Sequence, residues 1–398
     1  MATPIHLKGT TLEGGGQLLR LATCLSSLTS TPIHITSIRG NRSGGGGLKT
    51  QHLTSIQWLA QASDATVSGM NLKSTDIEFS PSGKSAVNGR GERGGDITIK
   101  QSTPGSVNLV FQAILPYILF AGSGSGEAVR VNITGGTNVS NSPSYDYVEQ
   151  VLLPMLALIG IPAIEANVHS RGWSQGSTRV GAVTYTVVPL MKQLPAFTLT
   201  KRGDIKSIRA TIVAPKAYEQ QLRDELDVMF ETREAKFFGA REPEVEVTFE
   251  DSQHEKRYYL LLVATTSNGV KLGRDWLYNH GVRAGNIDTV ISTLVKKVSD
   301  DLLSEIEHGG CVDEYLRDQL IVFQALAKGR CEVYGGKKND VLLEPSLHAQ
   351  TAHWVAKEVI SVDFNAEGTC EGIGFGDEQD KKNTVEIELA EGLQKLEV

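Results

Sequence analysis

Apolar positions fall into one arrangement three times along this chain: a glycine-bearing turn, a helix-periodic stretch, then a β-branched run. The first is Glu13-Gly-Gly-Gly-Gln17, then Leu18 to Ser27, then Pro32 to Ile38. The second is Thr103-Pro-Gly-Ser106, then Val107 to Phe120, then Ala128 to Ile133. The third is Gly309-Gly-Cys-Val-Asp313, then Tyr315 to Ala327, then Cys331 to Tyr334. Helical periodicity followed by β-branched residues predicts a helix and then a strand. Three similar units predict a repeated module that shares one sheet-and-helix architecture. The longest apolar run, Val107 to Ala121, contains Asn108, Gln112 and Pro116. It is shorter than the roughly 20 residues needed to span a bilayer, and it predicts a buried helix.

Between the second and third units the texture changes. From about Leu194 to Asp275 the glycine clusters stop and charge rises. Ser207 to Val213 alternates as a strand, Lys216 to Phe237 is charged and helix-periodic, and Glu244 to Phe249 and Tyr258 to Ala264 read as strands paired with each other. The segment therefore predicts a small inserted α/β domain. The expected organisation is a first core part over 1–193, an insert over 194–275 and a last core part over 276–398. A charged run begins at Asp377 and leads to a final alternating strand, Thr384 to Leu389.

Composition narrows the function. A chain of 398 residues exceeds one ordinary core and fits two domains or one core with an insertion. Net charge of -7 argues against a protein that coats nucleic acid, which needs a basic face. A local basic pocket that grips one strand end stays compatible with it. The cysteines, Cys24, Cys311, Cys331 and Cys370, are far apart and form no CxxC pair. A disulfide framework or zinc site is not expected, and a reducing compartment fits. The N-terminal MATPIHLKGT lacks the basic-then-apolar pattern of a secretory signal.

Five segments carry residues suited to chemistry. In Leu12-Glu-Gly-Gly-Gly-Gln-Leu-Leu-Arg20, glycines before a helix leave backbone N–H groups at a positive dipole end, which suits a phosphate. Glu13 suits a divalent metal shared with phosphate oxygens. The alternative is a tight turn with Glu13 in water. In Arg39-Gly-Asn-Arg-Ser-Gly-Gly-Gly-Gly-Leu-Lys-Thr-Gln-His52, Arg39, Arg42, Gln51 and His52 gather before and within a helix over Gln51 to Ala60. Arginine forks suit two phosphate oxygens at once, and the alternative is a solvated loop. Ile133-Thr-Gly-Gly-Thr-Asn138, with Pro143, reads as a pocket wall or an ordinary loop.

The fourth segment places Tyr315, Asp318 and Gln319 at i, i+3 and i+4, one helix face on which a purine could stack and be bonded at its edge. Polar residues facing water are the plain alternative. In the fifth, Ser346-Leu-His-Ala-Gln-Thr351, His348 stands at a strand-to-helix junction before a helix over Ala352 to Val359. Neutral imidazole nitrogen can attack phosphorus, although a single histidine is more often structural. His353 reads as structural, and His308 as a helix C-cap.

In this order, the motifs resemble the RNA 3′-terminal phosphate cyclase family over nearly the whole chain. They are EGGGQLLR at Glu13 to Arg20, IRGNRSGGGGLKTQHL at Ile38 to Leu53, GGTN at Gly135 to Asn138, GGCVDEYLRDQLIVFQALAKG from Gly309, and LHAQTA at Leu347 to Ala352. The resemblance implies an α+β fold of three repeated two-helix, four-stranded units with a thioredoxin-like insert. It implies ATP and Mg2+ or Mn2+ as cofactors, and RNA 3′ ends bearing a phosphate as substrate. It implies His348 as the residue that carries AMP, and Gln112, Pro143, Tyr315, Asp318 and Gln319 around the adenosine. Glu13 would hold the metal, and Arg20, Arg39, Arg42, Gln51 and His52 would receive phosphates or the RNA end. Nuclear placement follows from eukaryotic members. A non-catalytic relative acting in ribosome biogenesis is the alternative, and such relatives are expected to lack the histidine. Two stretches depart from the family pattern: Arg171-Gly-Trp-Ser-Gln-Gly-Ser-Thr-Arg179 stands where a PKGGG run is usual, and His280 to Asn286 is altered. Added sequence stands around Gly335 to Pro345.

Overall fold

The structure is a computed structural model that describes residues 3–42, 45–83, 96–121, 126–239 and 244–376. The charged run from Asp377 and the strand expected over Thr384 to Leu389 lie outside the described residues.

The chain is α+β. Its first sheet takes the order Ile5–Lys8, Ile33–Thr36, Ile77–Ser80, Thr66–Ser68, with a parallel first pair and antiparallel neighbours after it. Helices α1 (Gly16–Thr29) and α2 (Thr50–Ala62) pack together beside it. Residues 97–187 form a second sheet: Ile97–Ile99, Val129–Gly135, Gly181–Val187, Glu165–Ser170. It has the same alternation of directions: parallel, antiparallel, antiparallel. Helix α3 (Val107–Phe120) lies against α1 and α2. A third sheet joins Thr369–Ile373, Lys328–Val333 and Thr198–Leu199.

The apolar run that begins at Val107 is buried along almost all of α3. Its first amide is held from two sides. Asn108 is fully buried and donates to the Pro143 carbonyl at 2.7 Å while accepting from the Tyr185 hydroxyl at 2.7 Å. A buried amide is tolerated because its hydrogen bonds are met. The core units lie within a few residues of where periodicity places them, because each helix has one apolar face and a turn signal in front of it.

The charged segment forms a fourth sheet in the order Val245–Asp251, Ile205–Ala214, Tyr259–Thr266, Lys271–Leu277. Here one expectation is corrected. The strands near Glu244 and Tyr258 do not pair with each other; each pairs with Ile205–Ala214, one parallel and one antiparallel. Ile205–Ala214 is almost wholly buried in its second half, and Val245–Asp251 is mostly exposed. The first is thus a centre strand and the second an edge, a difference that adjacency in sequence does not encode. Helix α4 (Glu219–Phe238) packs on helix α5 (Ile287–Glu307), and α5 also packs on the last two strands. The sheet's last strand therefore passes Asp275, and Thr198–Leu199 belongs with the third sheet.

This fourth sheet is fastened to the second by Arg171. Its guanidinium donates to both Asp146 oxygens at 2.6 and 2.8 Å and to both Glu250 oxygens at 2.9 and 2.7 Å. It also donates to Asn138 Oδ1 at 3.2 Å. Trp173, 1% exposed, lies under the Arg257 guanidinium at 5.1 Å. The stretch that departs from the family pattern is thus a packed joint. The added sequence near Gly335 is a small hairpin, Lys337–Lys338 with Val341–Leu342, tied down where Arg317 donates to the Leu343 carbonyl at 3.0 Å.

Helices α6 (Glu314–Leu326) and α7 (Leu347–Ile360) complete the core beside α1. Helix α7 begins five residues earlier than the expected Ala352. The Ser346 side chain accepts from the Ala349 N–H at 3.3 Å and caps it, so His348 sits inside the first turn rather than on a junction before the helix. A hairpin and a loop, not a strand, lead into it. His308 does cap α5, and His353 stacks on Phe364 at 4.3 Å.

Candidate active site

A cleft of about 320 Å³ is lined by the first two turns of three helices and the first turn of a fourth. Gln17 and Arg20 come from α1, Leu109 and Gln112 from α3, Glu314, Tyr315, Asp318 and Gln319 from α6, and His348 from α7. Helix starts carry free N–H groups and partial positive charge, so their convergence suits a polyanion. At α1 the capping position is Gly15, which has no side chain to satisfy those donors.

The residues expected around a nucleoside meet here. Gln112 donates to Gln319 Oε1 at 2.6 Å, and Gln319 donates to the Tyr315 carbonyl at 2.6 Å. Pro143 is on the wall, held by Asn108 through its carbonyl. The Tyr315 ring is 39% exposed, with the Arg274 guanidinium over it at 4.4 Å and the edge of Tyr147 at 5.8 Å. Arg274 is itself held by Glu305 at 2.6 Å and Glu314 at 2.9 Å.

Burial lowers the Arg20 pKa to about 10, against the opposing field of Asp318. Burial pushes Asp318 up to about 7, with Arg20 opposing. His348 is exposed at the cleft mouth. Partial desolvation, then the fields of Arg20 and Arg42, lower its pKa against a smaller opposite effect of Glu314. Its imidazole is therefore held neutral near pH 7, with a lone pair available to attack.

The raised pKa of Asp318 makes a pH prediction. The folded chain holds this proton where the unfolded chain has released it. Stability from this group is present below about pH 4 and is lost as pH rises towards about 7. Asp318→Asn cannot ionise. Denaturant unfolding across this range should show wild type losing stability relative to the variant as pH rises; parallel curves would refute the assignment.

The other expected phosphate-binding residues lie beside the cleft, not on its wall. The Glu13 carboxylate is 5% exposed and pairs with Arg42, and its N–H donates to Thr351 Oγ1 at 3.2 Å, which ties the glycine turn to α7. Beyond that ion pair its two oxygens accept no further hydrogen bond. A Cβ on Gly16 would lie 2.6 Å from His52 Nε2 and 2.8 Å from Arg20 Nη1, so glycine there lets both side chains close on the turn. His52 is 3% exposed, accepts from the Lys49 N–H at 3.2 Å, and has its pKa lowered to about 3 by burial, then by Arg20, Arg39 and Lys49. It is a neutral packing ring that shapes the turn. Arg39 is buried and donates to the Gly45 and Gly47 carbonyls at 3.4 and 3.3 Å. Gln51 accepts from the Ser106 N–H at 3.3 Å, joining α2 to the start of α3. Among the described residues no group of three His, Cys, Asp or Glu side chains is set to hold a metal.

Residues that sequence reasoning missed come from the fourth sheet and the turn just after it: Tyr259, Asp275, Trp276 and Leu277, then Asn279, line the cleft. Tyr259 donates to Asp275 Oδ2 at 3.0 Å, and its hydroxyl is 2.6 Å from Ser144 Oγ, next to Pro143. Burial raises Asp275 to about 6. Nothing in local spacing joins residues more than 100 positions apart, and the strand expected over Tyr258 to Ala264 carries no signal that Tyr259 meets the cleft.

The sequence description of a family termed RNA 3′-terminal phosphate cyclase matches residues 11–366. The chain belongs to that family. It is 31% identical over 375 residues to the Pyrococcus furiosus RNA 3′-terminal phosphate cyclase, covering 93% of this chain and 96% of that protein. The Thermococcus gammatolerans RNA 3′-terminal phosphate cyclase is 32% identical, over 92% of this chain and 94% of the relative. The Drosophila melanogaster protein of that name is 28% identical, over 93% and 97%. Among the described residues no helix is long and apolar enough to cross a membrane.

Proposed function

We propose that this protein converts an RNA 3′-terminal phosphate to a 2′,3′-cyclic phosphodiester with consumption of ATP, with AMP carried on His348. One observation supports this above others: a neutral imidazole stands in the first turn of α7, at the mouth of a cleft ringed by helix starts, within the field of Arg20. Family membership favours the same reaction.

The chemistry runs in three displacements. The unprotonated nitrogen of His348 attacks the α-phosphorus of ATP, pyrophosphate leaves, and the ring loses its proton to give a phosphoramidate. An oxygen of the RNA 3′-phosphate then attacks that phosphorus, the imidazole leaves, and an RNA–AMP anhydride forms. Finally the neighbouring 2′-OH attacks the terminal phosphorus, AMP leaves, and the ring closes. The last attack is intramolecular and gains from a high effective concentration. Tyr315 would stack the adenine, Gln112, Gln319, Asp318 and Pro143 would surround the nucleoside, and Arg20 would meet phosphate oxygens. Beside the cleft, Arg42 would receive the RNA end, with Gln51 and the buried Arg39 and His52 setting the shape of the loop that carries it. The buried carboxylate of Glu13, whose partner is the Arg42 guanidinium, would exchange that ion pair for Mg2+ or Mn2+, which would draw charge from phosphate oxygens.

In this reading the first, second and third sheets with their helices are three repeats of one unit. The fourth sheet with α4 is a thioredoxin-like insert between the core parts expected over 1–193 and 276–398, running a little past the expected boundary at 275 and starting after Thr198–Leu199. The matching strand order of the first two sheets supports it. The protein would act in the nucleus. The test is direct. An RNA oligonucleotide ending in a 3′-phosphate, given ATP and Mg2+, should become resistant to phosphatase. The same oligomer with a 2′-deoxy end should not, because it lacks the attacking hydroxyl. Recovery of ribosome precursors with no RNA-end conversion would favour the non-catalytic alternative.

A further inference from the structure

The exposed face of the first sheet carries a histidine pair that the cleft chemistry does not use. His6, on the edge strand Ile5–Lys8, is the register partner of His34 on Ile33–Thr36. The two Nδ1 atoms face each other at 3.2 Å, and the rings meet edge to face at 5.0 Å. On its far side, His34 Nε2 lies 2.9 Å from Asp76 Oδ1. Glu78 is the register partner of His34 on the other flank, and its Oε2 accepts from Ser68 Oγ at 3.3 Å. Lys8 is the nearest cation along the His6 strand.

The protons decide what this arrangement can do. A carboxylate only accepts, so the His34 proton sits on Nε2 and is given to Asp76. That leaves a lone pair on His34 Nδ1, aimed at the Nδ1 of His6. Two imidazole nitrogens facing at this distance need a proton or a metal ion between them. Two Zn–N bonds of about 2.0–2.1 Å at a tetrahedral angle place their nitrogens roughly 3.3 Å apart. The carboxylate behind His34 is also the partner that metal-bound histidines usually have, fixing the tautomer and raising basicity.

We propose that His6 and His34 form a surface site for an imidazole-preferring divalent ion of the zinc class, oriented by Asp76 and completed by water. The ion would join an edge strand to its neighbour. That edge strand runs through Gly9 into the Glu13–Gly16 turn, so the site would steady the segment that delivers the turn. It is separate from the magnesium reading of Glu13, because imidazole ligands favour zinc, nickel or copper over magnesium.

The test is calorimetric titration of Zn2+ into the full-length protein, with the histidine ring resonances followed by NMR. One ion should bind per chain, and the shifts should concentrate at His6 and His34, with Mg2+ leaving these rings unmoved. His6→Ala or His34→Ala should abolish that event, and Asp76→Asn should weaken it about 10–100-fold. His169→Ala, at an exposed histidine elsewhere, should leave it unchanged. His6, Asp76 and His169 are exposed and His34 is partly buried on the same open sheet face, so unchanged NMR dispersion away from the site shows that each variant is folded. No binding isotherm, or one kept by both His6→Ala and His34→Ala, would overturn the site and leave a simple N–H to N hydrogen bond. Neither result depends on whether RNA ends are cyclised.

Discussion

Protein incubated with ATP labelled on the α-phosphate should hold acid-labile label, and His348→Ala should hold none. Label on the γ-phosphate should not be retained, because pyrophosphate leaves. RNA-end conversion by the variant should fall by at least about 10³-fold, the scale on which loss of a nucleophile acts. The size of the effect follows from position. His348 is solvent-accessible at the cleft mouth, its pKa is held down by desolvation and by Arg20 and Arg42, and no neighbouring histidine can substitute. His52 is buried and bonded to Lys49, and His353 is stacked on Phe364. Equal labelling of wild type and variant would move the covalent step elsewhere or remove it.

The second large effect is on stability. Arg171→Ala should lower unfolding free energy by about 3–5 kcal/mol, measured by denaturant unfolding, because it strands a buried carboxylate. Asp146 is 5% exposed and Arg171 11%, whereas Glu250 is 49% exposed and can turn to water. The cost therefore lies with Asp146. The double variant with Asp146→Asn should recover part of the loss, since the stranded charge is then gone. A cost under about 1 kcal/mol would mean that the pair behaves as a surface ion pair. Arg171 also joins the Asn138 loop to the fourth sheet, so nucleotide affinity should fall in the same variant.

Core helices and strands were legible because each rests on a local rule. Glycine turns, capping residues and apolar periodicity lie within a dozen positions of one another, and α3 and α6 lie where they predict. Spacing alone put Tyr315, Asp318 and Gln319 on one face, and all three line the cleft. Local rules failed where the partner is distant. They paired two strands that a third, Ile205–Ala214, keeps apart, and they began α7 late because the Ser346 cap precedes a polar first turn.

The amino-acid sequence alone thus determined the glycine-led core helices and the strands that follow them, which family the motifs fit, and which imidazole to suspect. Tertiary structure alone decided that four helix starts face one cleft, that His52 is packed away while His348 is open, and that Tyr259, Asp275 and Trp276 arrive from another sheet. The reason is physical. Periodicity reports which face of an element is buried, but burial, field and proton affinity depend on what the fold brings against that face from far along the chain.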